Sequence, residues 1–170
     1  MKQTKRIILL LILALCLILI DQYTKGLAKE YLLHRAPISY FNDMIRLEYA
    51  ENTGAFLSLG DDLPRSWSFW IFSMVPLLFL IGLLVYIIRE SPHMKWLSLV
   101  AFIMIFAGGV GNIIDRIVND RHVVDFMNMG IKGLRTGIFN FADLCLSTGV
   151  VLLLFTYPKK EKDEKISESE

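Results

Sequence analysis

The chain has 170 residues, 54% of them hydrophobic, and a mean hydropathy of +0.48. That is too apolar for a soluble domain of this size, and the length leaves no room for a second membrane domain. The formal charge of +1 gives no basis for expecting nucleic acid or an acidic partner, so the information lies in how charge is distributed.

The first apolar stretch, Ile7 to Ile20, has fourteen residues and is expected to continue as helix through Asp21 to about Leu27. Lys2, Lys5 and Arg6 ahead of an apolar core also fit a cleavable signal peptide. No small-x-small site follows, because Ile18-Leu19-Ile20 leads straight into Asp21, and Leu15 is too bulky for a lipoprotein processing site at Cys16. The segment therefore reads as a retained span. Ser66 to Ile88 (23 residues), Trp96 to Ile114 (19) and Ile138 to Tyr157 (20, broken only by Asp143) complete a set of four. About 20 residues of helix cross a bilayer core, so the first span suffices only if Asp21 lies on it.

Lys and Arg orient these spans. Segments 1–6, 89–95 and 158–170 carry nine of them in 26 residues, whereas the connectors 21–65 and 111–137 carry nine in 72. The dense set belongs in the cytoplasm, which puts both termini inside and both long connectors outside. The expected organisation is a four-span domain over 1–158 followed by a charged, disordered cytoplasmic tail over 159–170. Within the first connector, Ile45-Arg46-Leu47-Glu48-Tyr49 alternates as a half-covered strand does, and Asn52-Thr53-Gly54 reads as a turn before Ala55-Phe56-Leu57. The fold class is membrane all-α with a small β element. No internal repeat points to a transporter.

Of nine aspartates only Asp163 falls inside the cell. Asp43, Asp61, Asp62 and Asp120 read as solvated loop charges; Asp21, Asp115, Asp125 and Asp143 stand in less ordinary settings. Asp143 is expected about six residues into the fourth span, roughly 9 Å along its axis at 1.5 Å per residue. A carboxylate at that depth costs about 2.5–3.5 kcal/mol on insertion scales, so it is expected to face a polar cavity with a purpose. Asn140, three positions earlier, is expected on the same face. Asp21 is the counterpart at the outer end of the first span, where a plain i,i+4 ion pair with Lys25 is the less favoured alternative to a functional role. Gly108-Gly109-Val110-Gly111 allows close helix packing, but packing alone leaves Asn112 and Asp115 at the same outer depth unexplained. Asp125, held in Val123-Val124-Asp125-Phe126, reads by itself as a turn carboxylate.

Two carboxyl groups held close where water is scarce cannot both ionise easily, which supplies an acid and a base at one pH. Such a pair can activate water against an amide carbonyl without a metal. No better nucleophile is in view: Ser147 and Thr148 have no His or Lys in their span, and Cys16 and Cys145 read as small apolar filler. His34, His93 and His122 are scattered, so no zinc site is expected. Three other readings stand beside hydrolysis: a magnesium-dependent lipid phosphotransferase, a proton carrier using Asp21 and Asp143, and a subunit without chemistry. The orientation disfavours the first, apolar inner halves of the spans disfavour the second, and the third leaves the polar cluster unexplained.

Five stretches in order decide among these: Asp21-Gln22-Tyr23-Thr24-Lys25, Asn52-Thr53-Gly54-Ala55-Phe56, Gly108 through Arg116, Val123-Val124-Asp125-Phe126, and Phe139-Asn140-Phe141-Ala142-Asp143. Together they resemble the lipoprotein signal peptidases, or signal peptidase II, over about residues 6–158. The resemblance implies a bacterial aspartyl endopeptidase of the cytoplasmic (inner) membrane. It would remove signal peptides by cutting just before the diacylglyceryl-modified cysteine of prolipoproteins. It assigns the catalytic pair to Asp125 and Asp143. Supporting roles go to Asp21, Lys25, Asn52, Gly54, Gly108, Asn112, Asp115, Arg116, Asn140 and Ala142. It also implies an external β-cradle and a short external helix, an active site near the outer face, and Asp115-Arg116 as an ion pair ending the third span. The expected partners are the prolipoprotein signal peptide and membrane lipid, with no cofactor, no metal, and a monomeric enzyme. Spacing and depth alone would have paired Asp143 with Asp115 or Asp21; the resemblance chooses Asp125.

Overall fold

A computed structural model describes residues 3–54 and 64–156. Helix α1 spans Gln3–Leu32, and the short strands β1 (Ile38–Tyr40) and β2 (Ile45–Asn52) follow it. Next come α2 (Arg65–Phe69), a π-helical turn (Trp70–Met74) and α3 (Val75–Glu90), which continue one another. Helix α4 spans Trp96–Val118, β3 Val123–Ile131, β4 Leu134–Arg135, and α5 Phe141–Thr156.

Among the described residues three helices are long and apolar enough to cross a membrane: Gln3–Leu32, Ser66–Glu90 and Trp96–Val118; α5 is apolar with 16 described residues. Large apolar side chains such as Leu15, Leu19, Leu78, Phe79, Leu154 and Phe155 face outward, more than half exposed. So large an apolar surface suits lipid rather than water. The inward faces of α1, α3 and α4 meet through Leu10, Ala14, Leu80, Leu83, Leu99 and Ile103.

In lipid, helix association depends on close contact, because apolar burial from water no longer drives it. The α4–α5 contact illustrates this. A Cβ on Gly108 would lie 2.4 Å from the carbonyl oxygen of Ala142, and one on Gly149 would lie 2.7 Å from that of Ala101. Glycine at these points lets the two backbones touch.

The strands form one antiparallel sheet in the order β1-β2-β3-β4, with a register shift in β2 between Leu47 and Ala50. The sheet sits at the end of the bundle where α1 and α4 finish and α5 starts. Ala28 and Leu32 of α1 pack on Val124 and Phe126 of β3 there. The alternating segment 45–49 is strand as expected. No separate short helix stands apart from the spans among the described residues, and Ala55-Phe56-Leu57, Asp61, Asp62 and the tail 159–170 lie outside them.

Three local expectations need correction. Helix α1 runs past Leu27 to Leu32, because Ala28 and Leu32 have the sheet to pack against. Asp125 is no turn carboxylate: it lies inside β3, opposite Ala50 of β2. The fourth helix starts at Phe141 rather than Ile138, because Phe139 pairs with Met127 of β3 and holds the chain extended up to Asn140. Asp143 is therefore in the first turn of α5, shallower than six residues into a span.

Candidate active site

The start of α5 fixes two side chains at once. Asn140 Oδ1 accepts the Asp143 N–H at 2.9 Å, while Asp143 Oδ2 accepts the Asn140 N–H at 3.1 Å. This is a reciprocal helix cap, in which each residue satisfies a backbone donor the helix leaves open. The expected i,i+3 relation between Asn140 and Asp143 is thus a cap rather than two groups side by side on a helix face. The same Asn140 donates from Nδ2 to Asp125 Oδ1 at 2.7 Å and to Asn112 Oδ1 at 3.1 Å. One fully buried side chain therefore touches both aspartates.

Each aspartate has a second amide. Asn52 Nδ2 donates to Asp125 Oδ2 at 3.1 Å, and Asn112 Nδ2 donates to Asp143 Oδ1 at 2.9 Å. All four carboxyl oxygens accept an N–H from a neutral group. Asp125 is 3% exposed, and that burial, with the Asp143 carboxylate nearby, pushes its carboxyl up to about 6 against the opposing N–H donors.

A buried ammonium group lies behind the pair. Lys25 Nζ meets Asp21 Oδ2 at 2.9 Å, Asp115 Oδ2 at 3.0 Å and Asn112 Oδ1 at 3.0 Å, so its three donors are all used. The i,i+4 pair of Asp21 with Lys25 exists, but as part of a three-acceptor cluster. Asp115 pairs with Lys25 rather than with its neighbour Arg116, correcting the expected ion pair. Arg116 instead donates to the carbonyl oxygens of Gly54 (2.6 Å) and Arg121 (3.1 Å), and its guanidinium lies 5.8 Å from the Phe72 ring. Through the Gly54 contact it ties the end of α4 to the turn that follows β2. In that turn the buried Gly54 donates its N–H to Asn52 Oδ1 at 3.0 Å, which orients the Asn52 amide toward Asp125.

Ala142 is fully buried, with its carbonyl against Gly108 and its N–H donating to Asp21 Oδ1 at 2.9 Å. All twelve residues singled out by sequence thus fall in one connected cluster. Sequence reasoning named no role for two further groups. Gln22 donates from Nε2 to Asp21, Gly111 and Asp115, and the Val124 N–H donates to Asp115 Oδ2 at 3.0 Å. Gln22 belongs to the stretch Asp21-Gln22-Tyr23-Thr24-Lys25, whereas a backbone N–H leaves no signal in a sequence. Cys16 and Cys145 are both free thiols.

Beside this cluster a cavity of about 220 Å³ opens between α3 and α4, lined by Phe72, Pro76, Phe79 and Leu80 and reaching Asn112 and Arg116. The polar centre therefore borders an apolar recess. A family profile described as signal peptidase (SPase) II matches residues 13–158.

The chain belongs to the signal peptidase II family.

It is an aspartic-type signal peptidase hydrolase of a bacterial membrane. It is 34% identical over 157 residues to the lipoprotein signal peptidase of Borreliella burgdorferi (strain B31), covering 89% of this chain and 91% of that one. It is 34% identical over 143 residues to that of Borrelia hermsii, covering 81% and 82%. Two bacterial membrane enzymes solved by the in meso method share the fold. One has a TM-score of 0.74 at 29% identity, covering 92% of this chain and 94% of that one; the other has 0.76 at 26%, covering 89% and 93%. In this signal peptidase the described residues of the five stretches converge on one centre at the end of the bundle.

Proposed function

We propose that this signal peptidase II is an aspartyl endopeptidase that removes signal peptides from diacylglyceryl-modified prolipoproteins by cutting just before the lipidated cysteine, with Asp125 and Asp143 as its catalytic pair. The observation that carries this reading is Asn140, which donates to Asp125 while exchanging hydrogen bonds with Asp143. A shared neutral partner keeps two carboxyl groups near each other without a cation between them. Burial then favours one proton on the pair over two full charges.

In the reaction, the ionised aspartate takes a proton from water as the water oxygen attacks the scissile carbonyl carbon. The protonated aspartate gives its proton to the carbonyl oxygen. As the tetrahedral intermediate collapses, the leaving nitrogen takes a proton from the aspartate that received it from water, one hydroxyl of the intermediate returns its proton to the other aspartate, and the pair ends with one proton again. Asn52, Asn112 and Asn140 each give an N–H to one of the two carboxylates, which aims the pair. Hydrolysis without a metal fits the same donor set, since each carboxyl oxygen has an N–H partner that holds it in place without a cation. The apolar recess beside Asn112 suits lateral entry of a lipidated, apolar signal segment from the bilayer.

The wider arrangement belongs to the same proposal: a monomer with four spans over 1–158, α5 being the fourth, and both termini cytoplasmic. The sheet and the active site then lie at the outer face of the inner membrane, as the Lys and Arg bias argues. The experiment is to incubate purified protein with a diacylglyceryl-modified prolipoprotein in excess chelator. Cleavage leaving the modified cysteine at the new N-terminus is expected. No cleavage, or cleavage restored only by added metal, would sink the proposal.

A further inference from the structure

Asp21 and Asp115 both reach the backbone immediately before a proposed catalytic aspartate. Asp21 Oδ1 accepts the N–H of Ala142, one residue before Asp143, at 2.9 Å. Asp115 Oδ2 accepts the N–H of Val124, one residue before Asp125, at 3.0 Å. The two supporting carboxylates thus act as two arms, one gripping α5 and the other β3. The distance between the arms bears on the distance between the aspartates they carry.

Two groups hold the arms together. Lys25 Nζ bridges Asp21 Oδ2 and Asp115 Oδ2. Gln22 Nε2 lies 3.1 Å from Asp21 Oδ2, 3.0 Å from Asp115 Oδ1 and 3.1 Å from the carbonyl oxygen of Gly111. All three are acceptors, so the NH₂ end of the amide must face them. Gly111 makes the approach possible: a Cβ there would sit 2.5 Å from Asp21 Oδ2. Lys25 and Gln22 differ in what they supply. The ammonium neutralises charge, whereas the amide is a neutral donor that fixes the two carboxylates against the backbone of α4.

We propose that Gln22 is a positioning residue that sets the separation of Asp125 and Asp143 by clamping Asp21 and Asp115 to α4. This rests on the catalytic assignment above. The geometry has a kinetic consequence: letting the arms part would misplace the reacting carboxyl groups while leaving the apolar recess for substrate intact. A displacement of about 1 Å at a reacting group can lower the rate by about a hundredfold.

The test is Gln22→Met, which keeps length and loses the amide, alongside Gln22→Asn, which keeps the amide on a shorter stem. Steady-state cleavage of a diacylglyceryl-modified prolipoprotein is measured, with thermal unfolding of each variant in detergent. Gln22→Met is expected to lower kcat by about ten- to a hundredfold, with KM within about twofold of wild type, and Gln22→Asn to fall between. Wild-type kcat in Gln22→Met, or an effect on KM alone, would overturn the proposal. If Gln22→Met does not fold, Gln22→Asn decides by the same two readings. Failure of both to fold would also overturn it, because Gln22 would then hold the fold rather than the pair. If wild-type protein does not cleave at all, the catalytic reading fails first; if wild type cleaves and Gln22→Met matches it, only the role of Gln22 fails.

Discussion

The two ends of the sheet place aspartates in opposite company. At one end Asp43 receives Arg46 at 2.5 and 2.6 Å, Ser39 at 2.8 Å and Arg135 at 3.2 Å, with its side chain more than a third exposed. The Arg46 guanidinium, with help from Ser39 and Arg135, holds that carboxyl far below the usual carboxylate range. At the other end Asp125 is buried, receives only neutral amides, and is pushed up to about 6. Direct guanidinium partners keep Asp43 ionised and hold it in a structural tie between hairpins. Burial with amide partners leaves Asp125 able to hold or release a proton near neutrality. Environment, rather than residue type, separates a surface tie from a group fit for proton transfer.

That contrast can be broken on purpose. The largest stability effect is expected from Lys25→Met, because the 4% exposed ammonium is the cation that Asp21 and Asp115 share. Removing one partner of a buried ion pair leaves uncompensated charge and costs about 3–5 kcal/mol. Thermal unfolding in detergent should show a large fall, while Arg46→Met at the exposed end should leave the transition within scatter.

A smaller effect is expected in pH dependence. The pair needs one proton, and a carboxyl raised to about 6 gives it up as pH climbs through that value, so kcat/KM should decline on the alkaline side. The Asn52 N–H stabilises the ionised form of Asp125. Asn52→Ala should therefore move the alkaline limb to higher pH, by roughly half to one unit if the bond contributes about 1 kcal/mol. A shift to lower pH would contradict the assignment of that bond. The smallest effect belongs to Asp43→Asn: its carboxyl serves only the hairpin tie, so kcat/KM should stay within about twofold of wild type.

The spans and the site differ in how plainly the sequence announces them. Apolar runs marked the helices because membrane thickness sets their length. Strand β3 gives no period-2 signal at its start, since Val123, Val124, Asp125 and Phe126 are all buried and neither face is open to solvent. The start of α5 was misplaced because a long-range bridge from Phe139 to Met127, rather than local propensity, ends the extended segment. The i,i+4 pairing of Asp21 with Lys25 could be read locally. The contact of Lys25 with Asp115 joins α1 to α4 across ninety positions, and no spacing rule reaches that far. For the same reason the motifs name residues that the fold brings into one cluster, while the choice of Asp125 over Asp115 rests on resemblance.

The most direct measurement is cleavage of a diacylglyceryl-modified prolipoprotein by wild type, Asp125→Asn, Asp143→Asn and Asp43→Asn proteins, each checked for folding by thermal unfolding in detergent. The account predicts folded proteins throughout and near-wild-type cleavage by Asp43→Asn. It also predicts losses on the order of a thousandfold or more for both Asp125→Asn and Asp143→Asn. Near-normal processing by either of those two variants would contradict it.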